Sequence, residues 1–116
     1  MSSINILKTA NKAAEDKQAS QLVVLDLRGH SDLCDFQLLC SAENEKQSQA
    51  IAENIEIHCR NELKAAPLSI EGRASGHWIA MDYGSVIIHI FHKKLRDYYA
   101  IESLWPTANV DVNSLQ

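Results

Sequence analysis

Residues 76–91, Gly-His-Trp-Ile-Ala-Met-Asp-Tyr-Gly-Ser-Val-Ile-Ile-His-Ile-Phe, constrain the fold more than any other part of the chain. Two apolar, β-prone runs flank a break at Asp82-Tyr83-Gly84-Ser85, the pattern of two antiparallel strands joined by a tight turn. Gly84 can supply the positive φ that a close hairpin turn requires. With Tyr83 and Gly84 as a two-residue loop, Asp82 faces Ser85, Met81 faces Val86, Ile79 faces Ile88 and Trp78 faces His89. Ile79, Met81, Val86 and Ile88 then form an aliphatic face suited to a core. Trp78, Ala80, Ile87 and His89 form a second face with two residues that favour a polar partner. A one-residue slip would scramble this sorting. What covers the second face, the protein's own helix or another molecule, is the question that bears on function.

The rest of the chain supplies the frame. Ser3 caps a predicted helix running to about Lys17, with Ile4, Leu7, Asn11 and Ala14 on one stripe. The nearly continuous apolar run from Gln21 to Arg28 reads as a central strand, and Asp35–Cys40 as its antiparallel neighbour after a turn at Arg28-Gly29-His30-Ser31. Ile51, Ile55, Cys59 and Leu63 recur every fourth place, which predicts a long amphipathic helix from about Asn44 to Lys64, capped by Ser41 or Asn44 and stopped by Pro67. Leu68-Ser69-Ile70 is a short strand. Leu95, Tyr98, Ile101, Leu104 and Trp105 suit a short C-terminal helix ending at Pro106.

The fold class is therefore α+β or α/β: a single domain with a mixed sheet of about five strands, two main helices and a short C-terminal one. Residues 1–106 form the domain and 107–116 a polar tail expected to be loose. Two helices cover one sheet face, whereas the second has only the short helix, so part of it is expected to stay open.

A chain of 116 residues has room for one core, with a radius of gyration of roughly 13 Å. No apolar run approaches the ~20 residues that span a bilayer, and Met1-Ser2-Ser3-Ile4-Asn5 lacks a signal-peptide pattern, so a cytoplasmic location without membrane contact is expected. Cys34, Cys40 and Cys59 lack CxxC spacing and read as buried thiols rather than a disulfide framework or zinc knuckle. The net charge of −4 works against a sequence-independent grip on nucleic acid and suits a basic protein partner.

Candidate catalytic and metal groups are thin. His89 and His92 have HxxH spacing, but positions three apart on a strand face opposite ways, so no shared ion is expected. His30, His58 and His77 lack a ligand pattern. A Cys34 or Cys40 nucleophile lacks a local signature, and Cys40 alternates with Phe36 and Leu38 on a buried face. Asp26 and Asp35 lie on neighbouring strands, as magnesium-holding acids can, yet Asp35-Phe36-Gln37 carries no second carboxylate and Gly29-His30 is no phosphate loop. No cofactor is expected. Trp78 reads as core or as an interface anchor, the latter favoured by its sharing a face with His89; Asp82 and Tyr83 are expected to be exposed at the turn tip.

Gly76-x-Trp78, Met81-Asp82-Tyr83-Gly84 and Val86-Ile87-Ile88-His89-Ile90-Phe91-His92 together resemble the signature of the ribosomal silencing factor, or Iojap-like, family. Val24-Leu25-Asp26-Leu27-Arg28-Gly29, Asp35-Phe36, Ile51-Ala52, Ile70-Glu71-Gly72, Arg96-x-Tyr98-Tyr99 and Leu104-Trp105 extend the likeness from about Leu7 to Trp105. The resemblance implies a fold similar to nucleotidyltransferases without their catalytic acids. It also implies a non-enzymatic repressor that binds the large ribosomal subunit through ribosomal protein L-fourteen and blocks joining of the small subunit when nutrients are scarce. Glu71, Trp78, Asp82, Tyr83, Gly84 and His89 would be contact or contact-shaping positions. Ser85 stands where many relatives carry an acid, which weakens a salt bridge there, and Ala42 where many carry glycine. The rival readings are a nucleotidyltransferase-type enzyme and a scaffold that forms a homodimer through Trp78.

Overall fold

The computed structural model describes residues 2–29, 32–95 and 109–115. Helix α1 (Ser3–Asp16) is capped by Ser2, whose hydroxyl accepts the Asn5 N–H, one residue earlier than expected. Its buried side is Ile6, Leu7, Ala10, Ala13 and Ala14, rotated from the expected stripe, because the alanines admit close packing on α2 (Glu45–Leu63). Asn54 Nδ2 joins the two helices by donating to the Ala13 carbonyl at 2.8 Å. Asn44 caps α2, accepting the Gln47 N–H at 2.8 Å, and Lys64 ends it in the left-handed region with φ 57°.

The strands are β1 (Ser20–Asp26), β2 (Phe36–Ala42), β3 (Ser69–Glu71), β4 (Trp78–Asp82), β5 (Val86–His92) and β6 (Asn109–Val110). They form one sheet in the order β3-β4-β5-β2-β1-β6. β2 and β5 are parallel and the other neighbours antiparallel, so the sheet is mixed, with the five expected strands and a two-residue sixth. Both helices lie on one face. There Ile6, Leu7, Ile51 and Ile55 meet Phe36, Leu38, Cys40, Ile79, Met81, Ile88 and Ile90 in the main core. All seven residues of β2 are buried, as befits a strand between β1 and β5.

The hairpin register differs from expectation by two. Met81 faces Ile88, Ile79 faces Ile90 and Trp78 faces Phe91. Tyr83 N–H donates to the Val86 carbonyl at 2.9 Å, so the loop is Gly84-Ser85. Gly84, with φ 86°, takes the first loop position, where a glycine is favoured. Because side chains alternate with period two, a two-residue difference leaves both faces as expected and corrects only the pairing.

One further expectation needs correction. The end of the tail is not loose: β6 pairs Val110 with Val24, Leu115 is buried, and its carbonyl accepts Lys8 Nζ at 2.8 Å. Val110, Val112 and Leu115 pack on the core beside α1 and β1, which is what holds this segment. The second sheet face is open only in part, as expected. Leu25, Leu27 and Leu39 are fully buried in a satellite cluster with Phe91, where Cys34 of the β1–β2 connection packs on them. Its β4–β5 margin, at Trp78, Ala80, Asp82 and Ile87, is half-buried, as is Val23 of β1. Tyr98, Ile101, Leu104 and Trp105, assigned to the short C-terminal helix, lie outside the described residues, as does His30.

Candidate partner-binding face

Four of the six expected contact or contact-shaping residues, Glu71, Trp78, Asp82 and His89, lie on the second sheet face at its β3–β5 side. Trp78, Ala80 and Asp82 alternate onto the second face of β4; Glu71 of β3 and His89 of β5 both face Ala80, which puts them on the same side. Trp78 Nε1 donates to His89 Nδ1 at 3.1 Å. The indole also stacks on Phe91 at 5.2 Å with 28° between planes, and His89 stacks on the same ring at 5.9 Å and 16°. Burial pushes the His89 imidazole down to about 4, so it is neutral at physiological pH. An indole N–H can only donate, so Nδ1 carries the lone pair and Nε2 the proton. The tryptophan is thereby held half-buried in one orientation, at one end of a row that runs through Ala80, opposite the exposed Glu71, to the half-buried Asp82.

Asp82 and Tyr83 are not the pair of exposed turn-tip residues expected. Asp82 Oδ1 accepts the Gly84 N–H at 2.7 Å, fixing the turn. Tyr83 follows Ile79 and Met81 onto the core face and is only 8% exposed. Its hydroxyl faces the Cys59 thiol without a hydrogen-bond partner, and burial, with Cys59 beside it, raises the phenol far above its usual range. A buried tyrosine cannot touch a partner; it shapes the hairpin from beneath.

Sequence reasoning missed the support behind Trp78. Gly72 has φ 79°, and a Cβ there would lie 2.0 Å from the Trp78 carbonyl oxygen, so only glycine fits where the loop crosses β4. The loop is fastened to α2. Gln49 Nε2 donates to the Arg73 and Ala74 carbonyls at 3.0 and 3.2 Å, and Arg73 Nη2 meets Glu56 Oε1 at 2.7 Å. His77 Nε2 lies 3.3 Å from Glu45 Oε1. Polar positions on a helix face carry no signal of such distant partners; the Glu71-Gly72 dipeptide was the only visible hint.

The candidate catalytic groups are engaged by other residues or buried. Asp26 is bidentate with Arg28, at 2.9 and 2.7 Å, and Asp35 Oδ2 accepts the Ser3 hydroxyl at 3.1 Å. Among the described residues no group of three His, Cys, Asp or Glu side chains is placed to hold a metal ion. Cys34 and Cys59 are buried, and burial raises both thiols, which disfavours the thiolate. No helix among the described residues is long and apolar enough to cross a membrane.

The family model described as "Ribosomal silencing factor during starvation" matches residues 1–116. The chain belongs to this family. Ribosomal silencing factor RsfS of Halalkalibacterium halodurans is 39% identical over 93% of this chain and 92% of its own length. RsfS of Bacillus subtilis is 38% identical over 96% of both. A crystal structure of a Chromobacterium violaceum protein superposes with a TM-score of 0.86 at 29% identity, covering 91% of this chain and 88% of the other. The silencing-factor family is one of ribosome-associated translation regulators, and the aromatic margin of the second face is this member's candidate contact region.

Proposed function

We propose that this silencing factor binds the large ribosomal subunit through ribosomal protein L-fourteen and prevents the small subunit from joining, so that translation falls without any chemical step. The observation that carries the reading is the Trp78 indole, half-buried and locked by the His89 bond on the face that also carries Glu71 and Asp82. A large aromatic already fixed in place loses little freedom on docking, which is the property of an interface anchor. Glu71 and Asp82 on the same face complement a basic partner surface. A body of this size need only occupy the site competitively, over a total buried area of about 1,600 Å². Glu71, Trp78 and Asp82 make contact in this reading, His89 orients the indole, and Tyr83 supports the hairpin.

Sedimentation with purified subunits tests it. The protein should travel with the large subunit alone and reduce reassociation. Trp78→Ala should weaken both effects by about thirtyfold, the loss of a single hot-spot residue. Equal sedimentation with both subunits, or undiminished binding by Trp78→Ala, would overturn it.

A further inference from the structure

Among the described residues three large apolar side chains are exposed, Leu33, Leu68 and Ile57. Two of them share one end of the sheet. Leu68 precedes β3 and donates its N–H to the Asp82 carbonyl at 2.7 Å; a Cβ on Gly84 would stand 3.6 Å from its Cδ1, so its side chain lies over the hairpin turn. On the turn's other side, the Ser85 carbonyl accepts the Asp35 and Phe36 N–H groups at 2.8 and 3.1 Å, fastening the turn to the connection that carries Leu33. Leu33 is 86% exposed and Leu68 76%. Leu68 lies against the turn, and Leu33 stands two residues before the Asp35 N–H that the turn's Ser85 carbonyl accepts, so both are exposed at this end of the sheet.

The charge around the pair selects its occupant. Asp32 and Asp35 are exposed and Asp82 is half-buried, whereas Arg28 is engaged by Asp26 at 2.7 Å. The Cys34 thiol, raised chiefly by burial, also feels both Asp35 and Asp82, which puts the two carboxylates at this same end. A nucleic-acid phosphate would be repelled. A second copy meeting this patch about a two-fold axis would bring its aspartates toward their counterparts. We propose that Leu33 and Leu68 are a second anchor of the docking surface, flanking the Gly84-Ser85 turn and taking the apolar side chains of a basic polypeptide segment. The inference rests on the reading that the partner is a basic protein of the large subunit, and it extends the contact from the Trp78 margin around the end of the hairpin.

The test titrates purified large subunits with the full-length protein, Leu33→Asp, Leu68→Asp and Trp78→Ala, with sedimentation velocity on each free protein. Leu33→Asp and Leu68→Asp should each weaken binding by about tenfold or more while the free protein keeps its oligomeric state. Leu33→Ser and Leu68→Ser serve in their place should an aspartate variant fail to fold. If Trp78→Ala loses binding while both leucine variants bind as the unaltered chain does, the second anchor is refuted and the first reading stands. If the unaltered protein does not bind large subunits, both fall. If a leucine variant instead converts a dimer to a monomer without loss of binding, the occupant is a second copy and the inference is overturned.

Discussion

Acid should loosen the Trp78–His89 lock, by an amount that burial sets. His89 is held at about 4 against an ordinary 6.5, so between those values the folded chain binds fewer protons than the unfolded one. Stability is complete above the ordinary histidine value, declines as the pH falls through the window, and stops declining from this cause below the folded value. The full loss is roughly 3 kcal/mol, of which about 2 kcal/mol has gone by about pH 5. His89→Gln isolates it, since glutamine offers the indole an acceptor and gains no proton. Urea unfolding of the two proteins from neutral pH to about pH 4 is the assay. Carboxylates common to both, Glu71 and Asp82 on the same face included, cancel to first order in the difference between the curves. The difference should open by the stated amount, and the Trp78 indole N–H resonance of the unaltered protein should move with a midpoint near 4. Parallel curves, or a midpoint near the ordinary histidine value, would refute the buried neutral imidazole and with it the fixed indole.

Three other outcomes follow from the same geometry. Gly72→Ala brings a Cβ to 2.0 Å from the Trp78 carbonyl in a left-handed backbone, so it should destabilise by about 2 kcal/mol or more in thermal melts and weaken large-subunit binding. Tyr83→Phe removes a buried hydroxyl that has no partner, so unfolding should show a change of no more than about 0.5 kcal/mol or a slight gain, with binding unaltered; a large loss would mean the hydroxyl is bonded in solution. Leu115→Ala should cost about 2 kcal/mol, because that side chain is buried against the core, whereas a loose tail would show no change.

What the sequence made legible, and what it did not, separates along one physical line. Alternation along a strand is independent of how a turn closes, so the residues of the second face could be assigned before the pairing was known, and a two-residue difference in register left that face intact. The same alternation, carried one step past Met81, puts Tyr83 on the core face. Reading it as a loop residue set the rule aside at the one place where the turn's position mattered. The loop in fact begins at Gly84, because Tyr83 still pairs with Val86. Cover over a sheet is of another kind. Leu25, Leu27 and Leu39 are enclosed where Cys34 folds onto them, and the loop at 72–77 is held by Gln49, Glu45 and Glu56 from a helix whose polar face resembles any solvated one. Such contacts join segments that no local period links. They confine most of the exposed part of that face to its β4–β5 margin and the end of the hairpin, which makes the docking hypothesis more specific. A broad bare sheet could receive many partners. A fixed indole, two carboxylates on its face and exposed leucines at the hairpin end set a shape and a charge that, in the proposed reading, suit a basic protein better than nucleic acid.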